Sequence, residues 1–329
     1  MREVKLATVG SGVIVHTMLE QVKKTDGISL EAVYSRSAET GQALAAAFGC
    51  KKVYTSLDAL FADSDVNTVY IATPNLLHFR QAQQALAAGK HVILEKPFTT
   101  RLQDAQRLAA LAKQKHLLLV EAVPTPHLPN FKMLKDLLPE IGRVRRVTSD
   151  YSQYSARYDK LLQGELPNIF NPALGGGCLM DLNYYNAYLN IALFGKPQSA
   201  VYESVIFPGA ADTSGVLTLQ YDGFVSVNAA AKDKDGGSFF KIEGDRGSLT
   251  VENGANGLQS LRLAAGGAEK TLSDQPEPNR WLYEVRALTR LFLSEDDAAA
   301  DQLLSITLDT VAVLEHARKT AGLVFPGDG

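Results

Sequence analysis

Val4-Lys5-Leu6-Ala7-Thr8-Val9-Gly10-Ser11-Gly12-Val13-Ile14-Val15 runs from an apolar, strand-like stretch through two glycines into a segment with helical spacing. A strand that breaks at a glycine turn and continues as a helix is the opening of a βαβ unit. The turn needs residues without a Cβ at Gly10 and Gly12, for the tight bend and for close approach of the backbone to a ligand. Behind it, the first helical N–H groups, at Val13 and Ile14, have no partner within the helix and sit at the positive end of its dipole. Gly10, Ser11, Gly12, Val13 and Ile14 are therefore a candidate diphosphate cradle. Val15 stands where the full fingerprint has a third glycine, so the case rests on the strand–turn–helix context. A plain strand-to-helix turn is the competing reading.

Outward from this stretch, short apolar runs alternate with amphipathic segments as far as residue 121. Strands are expected near 3–9, 29–35, 67–72, 91–95 and 117–121, with helices near 13–24, 38–48, 57–63, 76–89 and 103–115. This is the pattern of a doubly wound parallel sheet, a Rossmann-type α/β domain covering 1–122. After Pro124-Thr125-Pro126 the texture changes, and 123–329 reads as an α+β domain with a large, mostly antiparallel sheet. Its helices are expected near 129–138 and 175–194, with strands over 143–154, 199–206, 215–221, 224–231, 239–243 and 247–251. Two closing helices, Trp281 to Leu293 and Leu303 to Thr320, are divided by the acidic, alanine-rich Glu295 to Asp301.

The chain has 329 residues, 46% hydrophobic and 21% charged, enough for two ordinary cores. A formal charge of −3, from 33 basic and 36 acidic residues, gives no footprint for nucleic acid or an anionic membrane. The local basic run Arg143-Val144-Arg145-Arg146 reads as a solvated strand face. Two cysteines, Cys50 and Cys178, suggest neither a disulfide framework nor a thiolate zinc site, and six scattered histidines suggest no metal. No apolar run approaches the roughly 20 residues that span a bilayer. Met1 leads almost directly into the first strand, without the regions of a signal peptide, so a soluble, cytoplasmic protein is expected.

Three further stretches carry chemistry. The second strand ends Ala32-Val33-Tyr34-Ser35-Arg36-Ser37, with no carboxylate to hold a ribose 2′-hydroxyl. Ser35 and the planar fork of Arg36 suit a 2′-phosphate instead, which favours NADP, with NAD as the alternative. His91-Val92-Ile93-Leu94-Glu95-Lys96-Pro97 is a buried-looking strand whose proline keeps Lys96 extended, delivering it to the carboxyl edge where such sheets bind ligands. Gly175-Gly176-Gly177 leads into a helical pattern with Asp181 and Tyr185 four positions apart, hence on one face. A phenol with pKa near 10 needs a neighbouring cation to handle a proton at neutral pH, and Lys96 is that candidate. The bland readings are strand-end surface charges for Glu95 and Lys96 and a core position for Tyr185.

Together, Gly10-x-Gly12, Thr73-Pro74-Asn75 with His78, Glu95-Lys96-Pro97, and the three glycines with Asp181 resemble the Gfo/Idh/MocA oxidoreductases over essentially the whole chain. Within that family the chain is most similar to the dimeric dihydrodiol dehydrogenases and NADP-dependent D-xylose dehydrogenases, on Ser35-Arg36, Glu121-Ala122, Asn171-Pro172 and Tyr185. The departures are Pro124-Thr125-Pro126-His127 and Asn183. The resemblance implies hydride transfer between a nicotinamide and a hydroxyl or carbonyl carbon of a sugar, polyol or cyclic diol. It implies Lys96 as the substrate-binding lysine, Asp181 as its polar companion and Tyr185 as proton donor or acceptor. Thr73, Pro74, Asn75, His78, Glu95 and Pro97 would border the cofactor. It also implies a homo-oligomer, dimer or tetramer, paired through the open sheet. A non-catalytic NAD(P)-binding sensor of the same fold is the alternative, although a sensor needs neither Lys96 nor Tyr185.

Overall fold

The computed structural model describes residues 2–328, and these divide into two compact units. The first comprises the chain up to Val123 together with Asn279–Leu308; the second comprises Pro124–Pro278 and the chain from Asp309 onward.

The first unit holds β1 (Val4–Val9), α1 (Val13–Val22), β2 (Ile28–Tyr34), α2 (Ala38–Phe48), β3 (Lys52–Tyr54) and α3 (Leu57–Phe61). It continues through β4 (Thr68–Ile71), α4 (His78–Ala87), β5 (His91–Glu95), α5 (Leu102–Lys115) and β6 (Leu119–Ala122). All six strands are parallel, in the order β3-β2-β1-β4-β5-β6. Every residue of β4 is buried, as is Val92 to Glu95 of β5, as expected of strands covered by helices on both faces. Helix α4 shows the matching stripe, burying His78, Gln81, Ala82, Ala85 and Leu86. The strand order reverses between β1 and β4, the switch point where open α/β sheets take ligands at the carboxyl ends of their strands.

The second unit contains α6 (Pro129–Leu137), β7 (Val144–Ser152), α7 (Ala156–Leu162) and α8 (Tyr184–Phe194), then β8 (Ser199–Ile206), β9 (Asp212–Tyr221) and β10 (Phe224–Ala231). After these come β11 (Ser238–Gly244), β12 (Gly247–Glu252), α9 (Gly254–Gly257), β13 (Ser260–Ala265) and β14 (Ala268–Leu272). The strands form one sheet, β14-β13-β12-β11-β7-β10-β9-β8, antiparallel except where β7 and β10 run parallel. Helix α8 is buried along Tyr184–Ile191, so its asparagines need internal partners. Asn186 donates to Ala229 O at 3.2 Å and Asn190 to Asn228 Oδ1 at 2.9 Å. Arg145 and Arg146 of β7 are both exposed, so the basic run is solvated, with the two side chains on opposite faces of the strand.

Helices α10 (Arg280–Ser294) and α11 (Asp297–Thr320) close the chain. The change of texture after Pro124 points to one domain over 123–329, whereas Asn279–Leu308 clusters with the first unit. The reason is the apolar stripe Val285, Leu288, Leu291 and Phe292, which joins a core with Val15, Met18, Leu19 and Val22 of α1. Helix α11 also begins at Asp297, within the stretch expected to separate the helices, because Ala298 to Ala300 are good helix formers.

Candidate active site

At the carboxyl edge of the first sheet, Val9 lies in register with Tyr34 on one side and Ile71 on the other, and Ile71 with Leu94. The segments that follow these strands therefore emerge side by side: Ser35-Arg36, Gly10-Ser11-Gly12, Thr73-Pro74-Asn75 and Lys96. Gly10 has φ +122, and a Cβ there would stand 2.5 Å from the carbonyl oxygen of Ala72. Gly12 is different. It caps α1 in an extended conformation, and a Cβ would meet nothing within 4 Å, so open space lies before the helix. No side chain caps α1 and its first turn carries no acid. Val13 is 77% exposed, leaving the helix N-terminus clear for an anion.

Ser35 is buried, its Oγ 2.6 Å from Thr40 Oγ1. Arg36 is exposed and makes no hydrogen bond or ion pair among the described residues. An uncommitted guanidinium beyond the glycine turn could hold an anionic group of a bound dinucleotide.

The segment bearing Lys96 is held by buried side chains. The Lys96 N–H donates to Glu95 Oε2 at 3.0 Å, and Glu95 Oε1 accepts from the Tyr70 hydroxyl at 2.7 Å. Phe98 N–H donates to Glu121 Oε1 at 2.7 Å, while Glu121 Oε2 accepts from Thr307 at 2.8 Å. His78, wholly buried, has Nδ1 3.0 Å from Pro97 O and Nε2 2.9 Å from Thr73 O. It thereby sits between the Thr73 turn and the Lys96 segment; burial pushes its imidazole below the usual histidine range, and the neutral ring, with a single N–H, donates to one of the two carbonyls. The Lys96-Pro97 peptide bond is cis, and Lys96 itself is half-buried. A third carboxyl, Glu284 of α10, is 1% exposed and is driven well above the ordinary glutamate range by burial and by the charge of Glu95.

In the second unit the three glycines precede the helix rather than begin it. Gly175 ends a tight turn in a left-handed conformation, and a Cβ on Gly176 would lie 2.7 Å from Ile169 O. The helical run then opens as a π turn, Leu179–Asn183, before α8. Asp181 sits on this turn, a geometry frequent at functional sites, and its carboxylate is ion-paired with Lys232. Tyr185 is 8% exposed, its ring 5.9 Å from that of Tyr151 and 6.0 Å from that of Tyr184. The Tyr151 hydroxyl accepts from Asn256 Nδ2.

Of the expected site residues, those of the first unit come together along one sheet edge, while Asp181 and Tyr185 belong to the second unit. Glu121, Glu284, Tyr70, Tyr151, Asn256 and Lys232 were given no role from the sequence. Lys232 has a local signal, a lysine following an apolar strand as Lys96 does, and Glu121 enters the sequence reading only through the resemblance. Among the described residues no cluster of three or more histidine, cysteine, aspartate or glutamate side chains is placed to hold a metal, and no helix is long and apolar enough to cross a membrane.

Comparison with known proteins bears on the family and the fold. The model of an oxidoreductase family with an NAD-binding Rossmann fold matches residues 4–122, and that of the GFO/IDH/MocA C-terminal domain matches 131–250. The uncharacterized oxidoreductase YgjR of Escherichia coli is 33% identical over 326 residues, covering 99% of this chain and 98% of the relative. The scyllo-inositol 2-dehydrogenase (NADP(+)) IolU of Bacillus subtilis is also 33% identical over 326 residues, covering 99% of each chain. KijD10, a 3-ketoreductase from Actinomadura kijaniata solved with NADP and TDP-benzene, shares the fold with a TM-score of 0.85 at 21% identity, over 96% of this chain and 97% of that one. With both family models matched in order and full-length relatives at this identity, the chain belongs to the Gfo/Idh/MocA family of NAD(P)-binding oxidoreductases.

Proposed function

We propose that this oxidoreductase is an NADP-dependent dehydrogenase acting on a hydroxyl-bearing carbon of a sugar, polyol or cyclic diol. The observation that carries the reading is the order of groups along the first sheet's edge: an uncommitted Arg36 beside Ser35, an open glycine turn after β1, and, two strands further on, a lysine in the clamped segment that follows β5. NADP(H) supplies the hydride acceptor or donor. Gly10, Ser11, Gly12, Val13 and Ile14 receive its diphosphate, Ser35 and Arg36 its 2′-phosphate, and Thr73, Pro74, Asn75, His78, Glu95 and Pro97 border it. Lys96 donates a hydrogen bond to the reacting hydroxyl oxygen and stabilises the negative charge that grows there. Tyr185 takes or returns the hydroxyl proton, and Asp181 accepts a hydrogen bond from the substrate. The dehydrogenase name of IolU supports the substrate class.

The second sheet also supports self-association. Val201, Val205 and Val227 are exposed, and Val201 and Val227 flank Thr218 in register while Val205 lies four residues along β8, so the three valines share one face of β8–β10. Sedimentation should give a dimer or tetramer, and a monomer at working concentration contradicts that part of the reading.

The functional test is a screen of polyols, aldoses and diketones with NADP(H), read by absorbance of the reduced nicotinamide. Turnover of a member of these classes is expected. Binding of NADP without turnover of any of them would count against the enzyme reading.

A further inference from the structure

Asp181 has a partner that its own helix does not supply. Lys232, the residue immediately after β10, places its ammonium against Asp181 Oδ2. The Lys232 side chain is 5% exposed and that of Asp181 is 39%, so the carboxylate is gripped from the protein side while remaining open to solvent. The lysine is rooted at its backbone: its N–H donates to Thr213 O at 2.8 Å, and its carbonyl accepts from Ser155 N at 2.9 Å.

Two other carboxyl groups near this pair, Asp212 and Asp233, have partners of their own. Asp212, wholly buried, accepts from the Leu179 N–H at 2.7 Å and the Tyr202 hydroxyl at 2.6 Å. Asp233 accepts from Thr213 at 2.7 Å and Ser214 at 3.0 Å. The Cys178 thiol, pushed upward by burial, feels both of these carboxylates as well as Lys232 and Asp181. The rings of Tyr185 and Tyr151 lie in the same unit, edge to face.

Taking an ammonium out of water is costly, and an ion pair whose acid stays half-exposed returns little stability. A buried lysine beneath an open carboxylate is better explained by a demand at Asp181 than by folding. We propose that Lys232 is a positioning residue for the reaction, holding one oxygen of Asp181 so that the carboxylate is aimed at a substrate hydroxyl. This rests on the functional reading above, in which Asp181 receives the substrate.

The test is a double-mutant cycle with D181N, K232M, the double variant and K232R, read as kcat and KM for the sugar or polyol, with NADP Kd and melting temperature alongside. K232M should lower kcat/KM by about tenfold or more, chiefly through KM, leave NADP Kd unchanged, and be largely rescued in K232R. Adding K232M to D181N should lower kcat/KM by no more than about twofold further, because the lysine acts through the acid. Full additivity overturns the proposal. So does K232M within about threefold of wild type while D181N is impaired, a result that leaves Asp181's role standing. D181N within about threefold of wild type instead removes Asp181 from the functional reading, and this proposal with it. If K232M does not fold, K232R and K232Q decide: a clear advantage for arginine supports the proposal, and equal activities overturn it.

Discussion

Glu121 accepts a hydrogen bond from the backbone N–H of Phe98 at 2.7 Å, two residues beyond Lys96, with both Glu121 and Phe98 buried. Its second oxygen is taken by Thr307. Removing the carboxylate strands a buried N–H, so E121A should cost about 1–3 kcal/mol of stability and loosen the Lys96 segment. E121Q keeps an acceptor for Phe98 and should lie closer to wild type. Chemical denaturation of the two variants checks this, and equal stabilities would contradict the clamp.

The two glycines of the first turn should fail differently. G10A forces a Cβ toward the Ala72 carbonyl from a backbone conformation with φ +122, so folding stability should fall by about 1–3 kcal/mol. G12A meets no atom within 4 Å and has an ordinary φ of −77. It should melt like wild type yet bind NADP at least about tenfold more weakly, because its methyl occupies the space kept for the diphosphate. Melting curves and Kd values separate the two.

Cofactor choice should turn on Arg36. R36A should weaken NADP binding by about tenfold or more while leaving NAD almost untouched, since an exposed guanidinium without partners contributes only when the 2′-phosphate is present. Calorimetry with both nucleotides measures it. Wild-type Kd values equal for NAD and NADP would end the preference for NADP.

Glu284 gives a pH signature. Its Oε1 has no hydrogen-bond partner among the described residues, and burial with the charge of Glu95 raises its carboxyl well above the ordinary range. The folded state therefore favours the protonated acid. The associated stability is complete below the unfolded value of about 4.3 and is lost as pH rises through the raised folded value. E284Q stays neutral throughout, so its stability relative to wild type should increase as pH rises from below the unfolded value. A difference that stays flat with pH contradicts this.

Much of the first sheet was legible because its central strands β4 and β5 are covered on both faces and read as short apolar runs, and because glycines stand beside β1, β2 and β5. Lys52–Tyr54 was not, being three half-exposed residues at the sheet's edge. Ser260–Ala265 and Ala268–Leu272 escaped for a related reason: the last strand is an exposed edge carrying Glu269 and Lys270, and so lacks a buried face to give it alternation. The stripe on α10 announced a buried face but not which core it joins. In the candidate site, Gly10, Gly12 and Lys96 stood out through local context. The pairing of Asp181 with Lys232, 51 positions apart, and the clamp of Glu121 on Phe98 depend on tertiary contacts that no spacing encodes.

The central claim is that Lys96 acts on the substrate and not on the cofactor. In K96M, kcat for the best polyol or sugar should fall about 10²- to 10⁴-fold while NADP Kd stays close to wild type. Turnover within about threefold of wild type would remove Lys96 from the chemistry, and with it the account of this site.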